Sequence, residues 1–321
     1  MLHMLKLRFE AEVTSTGTLP KFFGPTIRGA LGITLRKMAC ITHIDDCKSC
    51  ILHLQCPYAR FFEPSTPTDH PFSHRLAQMP RPFALSVQAP QDEPITMQCG
   101  DMLTFGITIW HNPETILPYI VVATQKMFER GVGTGVKAKL MRVIAEHPHG
   151  DKTIFSSDDG LLTTKLPTVS VEEVMSTRKT QIKRLTVRFI TPTRIDIGGK
   201  LQNPITFEAL IKAANERGRA IFWAYERSEP PWDGKRLITL ATNVRTVRGK
   251  QEWIDLKRYS RRQNTQLKIG GIVGWQTFSG KELSDFIPIL RLMEWIHIGK
   301  LTTMGLGKIC IELDLPPISS R

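Results

Sequence analysis

Four cysteines crowd into one short stretch: Cys40, Cys47, Cys50 and Cys56 follow the spacing C-x6-C-x2-C-x5-C. The tight Cys47-Lys48-Ser49-Cys50 turn is the kind of knuckle that tetrahedral thiolate coordination uses. Four thiolates suit a structural zinc ion, which then keeps no open position for catalysis, or an iron–sulfur cluster, and the spacing leaves both open. Four reduced cysteines in an ordinary loop are the plainer alternative. Cys99 and Cys310 stand apart from the cluster and are read as core residues.

A second constellation lies near the C-terminus. An apolar helix breaks into Gly299-Lys300-Leu301-Thr302-Thr303-Met304-Gly305-Leu306-Gly307-Lys308, and Ile309, Ile311 and Leu313 then alternate as a strand. The same order occurs earlier, where a helix is followed by Gly131-Val132-Gly133-Thr134-Gly135 and the basic strand that carries Lys137 and Lys139. Glycine lets a backbone approach a phosphate closely, so Gly131, Gly133, Gly299, Gly305 and Gly307, with Thr302, Thr303, Lys137 and Lys308, are candidates to hold a polyanion. Most glycine loops, however, are simply turns.

Metal-independent RNA cleavage needs a base for the 2′-hydroxyl proton, a cation for the phosphate and an acid for the leaving oxygen. His297 and Lys300 stand at the entry to the second glycine loop and fit those roles, with Tyr259 to assist. His43, beyond the first helix, is the rival base. A packed histidine at a helix end is the plain reading of His297, and a structural place beside Cys40 is that of His43.

From Arg245 to Lys268 the chain carries eight basic residues and two acids, with Trp253 and Tyr259 among them. Cations interleaved with aromatic rings are what single-stranded RNA calls for, the first for phosphates and the second for bases. Arg258, Tyr259, Arg261, Arg262, Gln263 and Lys268 are therefore candidate contacts, and a solvated charged face is the alternative.

These residues need a scaffold. Leu5, Leu7, Phe9, Ala11 and Val13 alternate as a half-buried strand, and Pro25 opens a helix with Ile27, Ala30, Leu31, Ile33 and Leu35 on its buried face and Arg28 and Arg36 on the other. Strands near Phe83–Gln88 and Met102–Trp110 follow. A helix capped by Asn112 and opened by Pro113 leads to the first glycine loop. The second half repeats the order: a strand at Leu185–Thr191, a helix over Phe207–Ala220, strands near Leu237–Arg245 and Gln266–Phe278, then a helix over Glu282–Trp295. The expected architecture is α+β, two tandem ferredoxin-like βαββαβ domains at 1–148 and 184–321, joined by a linker at 149–183, with the cysteine-rich segment 40–56 inserted in the first.

Composition narrows the partner. Forty-three Lys and Arg against thirty Asp and Glu give a net charge of +13, which points to nucleic acid or another acidic surface. No apolar run is long enough to cross a bilayer and no signal peptide is evident, so a cytoplasmic protein without a membrane partner is expected.

The motifs also resemble a family. Thr191-Pro192-Thr193-Arg194 and Pro204-Ile205-Thr206-Phe207, then Arg258-Tyr259-Ser260-Arg261-Arg262-Gln263, Gly270-Gly271-Ile272-Val273-Gly274 and His297 through Gly307, follow in order the C-terminal domain of CRISPR-associated protein six. Ile27-Arg28-Gly29-Ala30-Leu31-Gly32 and Cys56-Pro57-Tyr58-Ala59 are similar to its cysteine-bearing branch. The resemblance implies a RAMP-superfamily endoribonuclease that binds the repeat of precursor CRISPR RNA. It would cut by metal-independent 2′-hydroxyl attack, leave a cyclic phosphate, and stay with the mature RNA among effector-complex subunits. It adds Arg194 to the RNA contacts. Family members often carry a histidine base in or after the first helix, where this chain offers Arg28 and Arg36, with His43 beyond. A catalytically silent RNA-binding subunit is the alternative, and a redox centre at the cysteines is a more distant one.

Overall fold

The computed structural model describes residues 2–67, 69–76, 78–160, 163, 165–176, 182–260 and 265–314, with the backbone alone for 257–260 and 265–267. The chain divides into two compact units, Met1–Ser170 with Ala220–Ser228, and Val171–Arg219 with Glu229–Arg321.

The first unit opens on β1 (His3–Ser15), whose Leu5, Leu7, Phe9, Ala11 and Val13 are buried on one face. There follow β2 (Gly17–Leu19), α1 (Gly24–Ala39), α2 (Pro57–Phe62), β3 (Phe83–Ser86), β4 (Ile95–Met97), β5 (Met102–Ile109), α3 (Pro113–Arg130), β6 (Lys137–Ala145), β7 (Lys152–Ser156) and β8 (Val169–Ser170). The main sheet runs β3-β5-β1-β6-β7 and is antiparallel. Its first four strands have the order of a ferredoxin-like βαββαβ unit, with α1 and α3 as crossovers. Phe9 stacks on Phe105 of the neighbouring strand at 4.7 Å, and Phe128 of α3 meets Phe105 edge-on at 6.1 Å. Such pairs add about 0.5–1.5 kcal/mol each beyond their buried area.

Several local expectations change here. On α1 the buried stripe is Ile27, Leu31, Thr34 and Leu35, while Ile33 is exposed, because the spacing of four from Ile27 to Leu31 and on to Leu35 turns Ile33 away. Asn112 takes the N-cap position of α3 in a left-handed conformation (φ 47°) without a side-chain cap bond, and its side-chain amide lies 3.0 Å from His111 instead. The stretch read as a linker holds β7, which extends the sheet beside β6, and β8, which pairs with β1. Only Ile154 and Phe155 are buried in β7, too few to show alternation in sequence. Cys99 is exposed and Cys310 half-buried, so neither is a core residue.

The second unit contains α4 (Val171–Met175), β9 (Arg184–Thr193), β10 (Asp196–Ile197), β11 (Lys200–Leu201), α5 (Phe207–Ile221), α6 (Gly234–Ala241), β12 (Arg245–Ile254), β13 (Lys257–Ser260), β14 (Thr265–Lys268), β15 (Gly271–Ser279), α7 (Leu283–Ile296) and β16 (Ile309–Asp314). The last two residues of α5, Ala220 and Ile221, with the segment that follows to Ser228, are grouped with the first unit. The main sheet is β12-β15-β9-β16, antiparallel and again in ferredoxin-like order. Phe207 of α5 packs on Phe278 of β15 at 4.8 Å and on Phe286 of α7 at 4.9 Å, tying both helices to the sheet.

Leu237–Arg245, expected as a strand, is instead α6 followed by the start of β12. Asp233 caps the helix, its carboxylate accepting from the Arg236 amide at 3.0 Å, and Leu237 and Ala241 share its buried face at a spacing of four. The expected strand Gln266–Phe278 is interrupted at Ile269-Gly270, so β13 and β14 form their own hairpin ahead of β15. Among the described residues no helix is long and apolar enough to cross a membrane.

Candidate nucleic-acid interface

In the second unit the Thr191-Pro192-Thr193-Arg194 segment is the point at which two glycine elements meet. On one side lies the C-terminal glycine loop. The amide of Gly307 donates to the Pro192 carbonyl at 3.1 Å, that of Lys300 to the Arg194 carbonyl at 2.9 Å, and that of Lys308 to the Thr191 hydroxyl at 2.9 Å. On the other side a β-carbon at Gly271 would stand 2.8 Å from the Thr193 carbonyl oxygen. Gly299 faces the Arg194 carbonyl, where a β-carbon would come within 2.4 Å, and at Gly307 one would reach 1.9 Å from the Ile298 carbonyl. Both residues have positive φ, 77° and 73°. Glycine is therefore required at these positions by close packing of backbone on backbone as well as by conformation.

This changes the reading of the loops. Much of the glycine loop's own hydrogen bonding is internal: Ile298 donates to Gly307, Met304 to Leu301 and Gly305 to Thr302. Thr302 and Thr303 are buried. In the first unit the loop of Gly131 and Gly133 is engaged likewise, with Thr134 and Thr18 exchanging backbone bonds at 2.8 and 3.0 Å and Val132 donating to Val136. A β-carbon at Gly133 would stand 2.4 Å from the Thr18 carbonyl. Much of the backbone of both loops is thus engaged within the protein, and the lysines lie on their flanks.

His297 is a correction. It is fully buried at 0 % exposure, sits just after α7 with φ 59°, and its Nδ1–H donates to the Leu306 carbonyl at 3.0 Å. Arg217 reaches the same helix end, donating through Nε and Nη2 to the carbonyls of Ile296 and His297 at 2.9 to 3.2 Å. In this structure the imidazole is closed off from solvent, and its bond ties the loop to the end of the helix. The side chain of Lys300 is exposed and pairs with Asp196 at 2.7 Å, so the structure does not bring His297 and Lys300 together as a catalytic pair. The Lys300 hydrogen bond holds the Asp196 carboxyl below the usual carboxylate range.

Of the remaining expected contacts, Arg194 donates to the Gly270 carbonyl at 3.1 Å and lies 5.9 Å over the Trp253 ring. Lys268 is exposed, and Lys308 is half-buried. On the sheet, Lys250 faces Trp275 across the β12–β15 pair, Trp275 faces Arg188, and the Arg248 guanidinium lies 5.8 Å over the Trp275 ring. Arg188 is itself held by Glu312 at 2.5 Å. The side chains of Arg258 and Tyr259, and Arg261, Arg262 and Gln263, lie outside the described residues.

In the first unit Arg36 is taken up structurally, donating to the Ile44 and Asp45 carbonyls at 2.9 and 3.1 Å and lying over Tyr58. Arg28 stands 5.5 Å over the Phe62 ring, and Lys137 is exposed. His43 is exposed in a left-handed turn, φ 55°. Sequence reasoning missed Asp196 and Arg217. Asp196, two residues beyond Arg194, has the short spacing typical of a loop partner; Arg217, on a long helix, leaves no such signal.

The second unit is thus a ferredoxin-like sheet whose last strand is preceded by a glycine loop locked to the end of β9, with Arg194 and Lys300 beside that lock. Residues 2–167 match the AF_1859_N family model, described as an N-terminal domain, and residues 187–309 match the model of CRISPR-associated endoribonuclease Cas6. The chain thus carries an AF_1859_N domain over half its length and a Cas6 domain over residues 187–309, which supports a place in the Cas6 family. No curated protein matches it in sequence. Among solved structures it is similar to Thermus thermophilus Cas6 (TTHB231), at 12 % identity and TM-score 0.56 over 97 % of this chain and 99 % of that one. It is also similar to a Cas6 (TTHA0078) product complex, at 14 % identity and TM-score 0.55 over 97 % and 100 % of the two chains. A partial Cas6-RT-Cas1–Cas2 complex matches at 14 % and TM-score 0.55, with 98 % of this chain aligned to 47 % of that one. At these identities the structural matches establish the fold.

Proposed function

We propose that this chain is a CRISPR RNA-processing endoribonuclease that binds the repeat of precursor CRISPR RNA and cleaves it by 2′-hydroxyl attack without a catalytic metal. The observation that carries the reading is the Cas6 endoribonuclease match over 187–309, because that stretch contains the locked junction on which Arg194 and Lys300 are presented. Cas6 structures of the same fold include a product complex and a substrate-mimic complex. The chain's net charge of +13 supports the same ligand.

In this reading Arg194 and Lys300 steady the phosphate, since guanidinium and ammonium groups stabilise the charge that develops on its oxygens. Lys300 exchanges Asp196 for the phosphate as RNA binds. With His297 buried, the base falls to His43, which is exposed on the turn after α1. The product is a cyclic phosphate, and the protein stays with the mature RNA beside effector subunits. One observation favours a grip-only protein as a second reading: α1 contains no histidine at all.

Incubating the purified protein in excess EDTA with a repeat RNA and mapping the ends separates the two. A single cut leaving a cyclic phosphate, lost in His43→Ala and kept in a variant of the exposed His74, His74→Ala, supports the nuclease. Tight binding with intact RNA makes the chain a holder of RNA, and a cut that needs added metal overturns the mechanism.

A further inference from the structure

The loop between α1 and α2, which carries His43, also holds a cysteine cluster that the proposed cleavage does not use. Cys40, Cys47, Cys50 and Cys56 all line one cavity of about 210 Å³, together with His53 and Tyr58. Beyond Cys40 the chain turns back on itself, with His43 in a left-handed conformation at φ 55°. The Thr42 hydroxyl lies 3.4 Å from the Cys50 sulfur, within hydrogen-bonding distance. A hydroxyl on a sulfur and four cysteines around one void are the materials of a thiolate metal site and its outer shell.

The loop also lacks a core of its own. Ile41, Ile44, Ile51 and Leu54 are 75, 42, 91 and 67 % exposed, so apolar burial does not hold it. Segments that cannot bury enough surface are held by cross-links or metals instead. His53, the one histidine on the cavity, has both ring nitrogens committed: Nδ1–H donates to the Cys47 carbonyl at 2.6 Å, and Nε2 accepts from the Ser65 hydroxyl at 2.8 Å. It is thereby removed as a ligand, and it anchors the knuckle from behind. Among the described residues no three His, Cys, Asp or Glu side chains stand in metal-holding geometry, so binding an ion here would require the thiols to draw together.

We propose that Cys40, Cys47, Cys50 and Cys56 bind one zinc ion as an all-cysteine site in which His53 is a positioning residue, and that the ion staples the end of α1 to the start of α2. Four protein ligands leave no open position, so the site is structural.

The test is metal analysis and cobalt substitution of the full-length protein purified under reducing conditions. The expected result is one zinc per chain, four of the six cysteines protected from a thiol reagent, and, after exchange for Co²⁺, the strong near-ultraviolet thiolate-to-cobalt absorption of a tetrahedral site. His53→Gln should keep zinc stoichiometry and weaken affinity, whereas Cys47→Ser should lose the ion. If the variants fail to fold, competition between wild-type protein and a zinc-sensitive chelator still gives the answer. Substoichiometric zinc with no cobalt spectrum overturns the proposal, as does iron with acid-labile sulfide, or loss of zinc ligation in His53→Gln with a changed cobalt spectrum.

Discussion

The Nδ1–H of His297 donates to the carbonyl of Leu306 at 3.0 Å, closing the C-terminal glycine loop on itself from inside the core. This bond explains why a histidine stands at the entry of the loop. It joins two residues nine positions apart within the loop between α7 and β16, and it satisfies a carbonyl in the core.

Removing that imidazole should therefore act on stability. His297→Ala leaves a buried carbonyl unpaired and a cavity, and a loss of about 2–4 kcal/mol is expected in denaturant titration. Any fall in RNA cleavage should follow the fraction of folded protein. A variant of unchanged stability with no cleavage would show that His297 acts on the RNA after all.

Gly307→Ala should be more damaging than its size suggests. The new β-carbon would meet the Ile298 carbonyl at 1.9 Å, and φ is 73°. The left-handed backbone alone costs about 1–2 kcal/mol, and the clash with backbone adds to it. Gly29→Ala, where nothing lies within 4 Å, is the matched control and should be neutral or stabilising in thermal melts.

Lys300 and Asp196 give a prediction about binding. Lys300→Ala should reduce the slope of log affinity against log salt by about 0.7, the value for one phosphate contact on a single strand. Asp196→Asn should leave that slope and raise affinity slightly, since it releases Lys300 from its pair. The carboxyl of Asp196 is held below its ordinary range by Lys300, so the pair forms above the unfolded carboxylate pKa and is lost only as pH falls through the lower, folded value. Equal salt slopes for Lys300→Ala and wild type would remove Lys300 from the interface.

Tyr58 should titrate late. Burial first, and then the Glu63 carboxylate, push its hydroxyl up to about 12. A raised folded pKa means that the contribution to stability is complete below pH ~10, the unfolded value, and disappears as pH rises through about 12. Absorbance at the phenolate band should show a late ionisation step in that upper range, and Tyr58→Phe should remove it. A titration with no late step contradicts the buried placement.

Much of the scaffold was legible because it rests on short-range periodicity. Leu5 to Val13 alternate in the sequence and are alternately buried in β1, and the helix expected over Glu282–Trp295 is α7, with Leu283, Phe286, Ile287, Leu290 and Met293 buried. Where two periods compete, local reading failed. Leu237 and Ala241 fit a strand run as well as a helix face, and the Asp233 cap decides for the helix. The strand at Lys152–Ser156 carries too few apolar residues to announce itself, and only pairing with β6 makes it one.

The candidate site divides along a different line. Residue types and order in the sequence determined that Thr191-Pro192-Thr193-Arg194, Gly270-Gly271 and the loop from Gly299 to Gly307 belong to one motif set, and that the cysteines form one cluster. Only the tertiary structure decided what each group does there, because burial and hydrogen-bond partners are set by segments far apart in the chain. His297 and Lys300 differ by three positions in sequence, yet one is at 0 % exposure on the Leu306 carbonyl and the other reaches outward to Asp196, more than a hundred residues away. Glycine's role follows the same rule: the sequence marks where a β-carbon is absent, and the packing of Pro192, Arg194 and Ile298 against the loop supplies the reason.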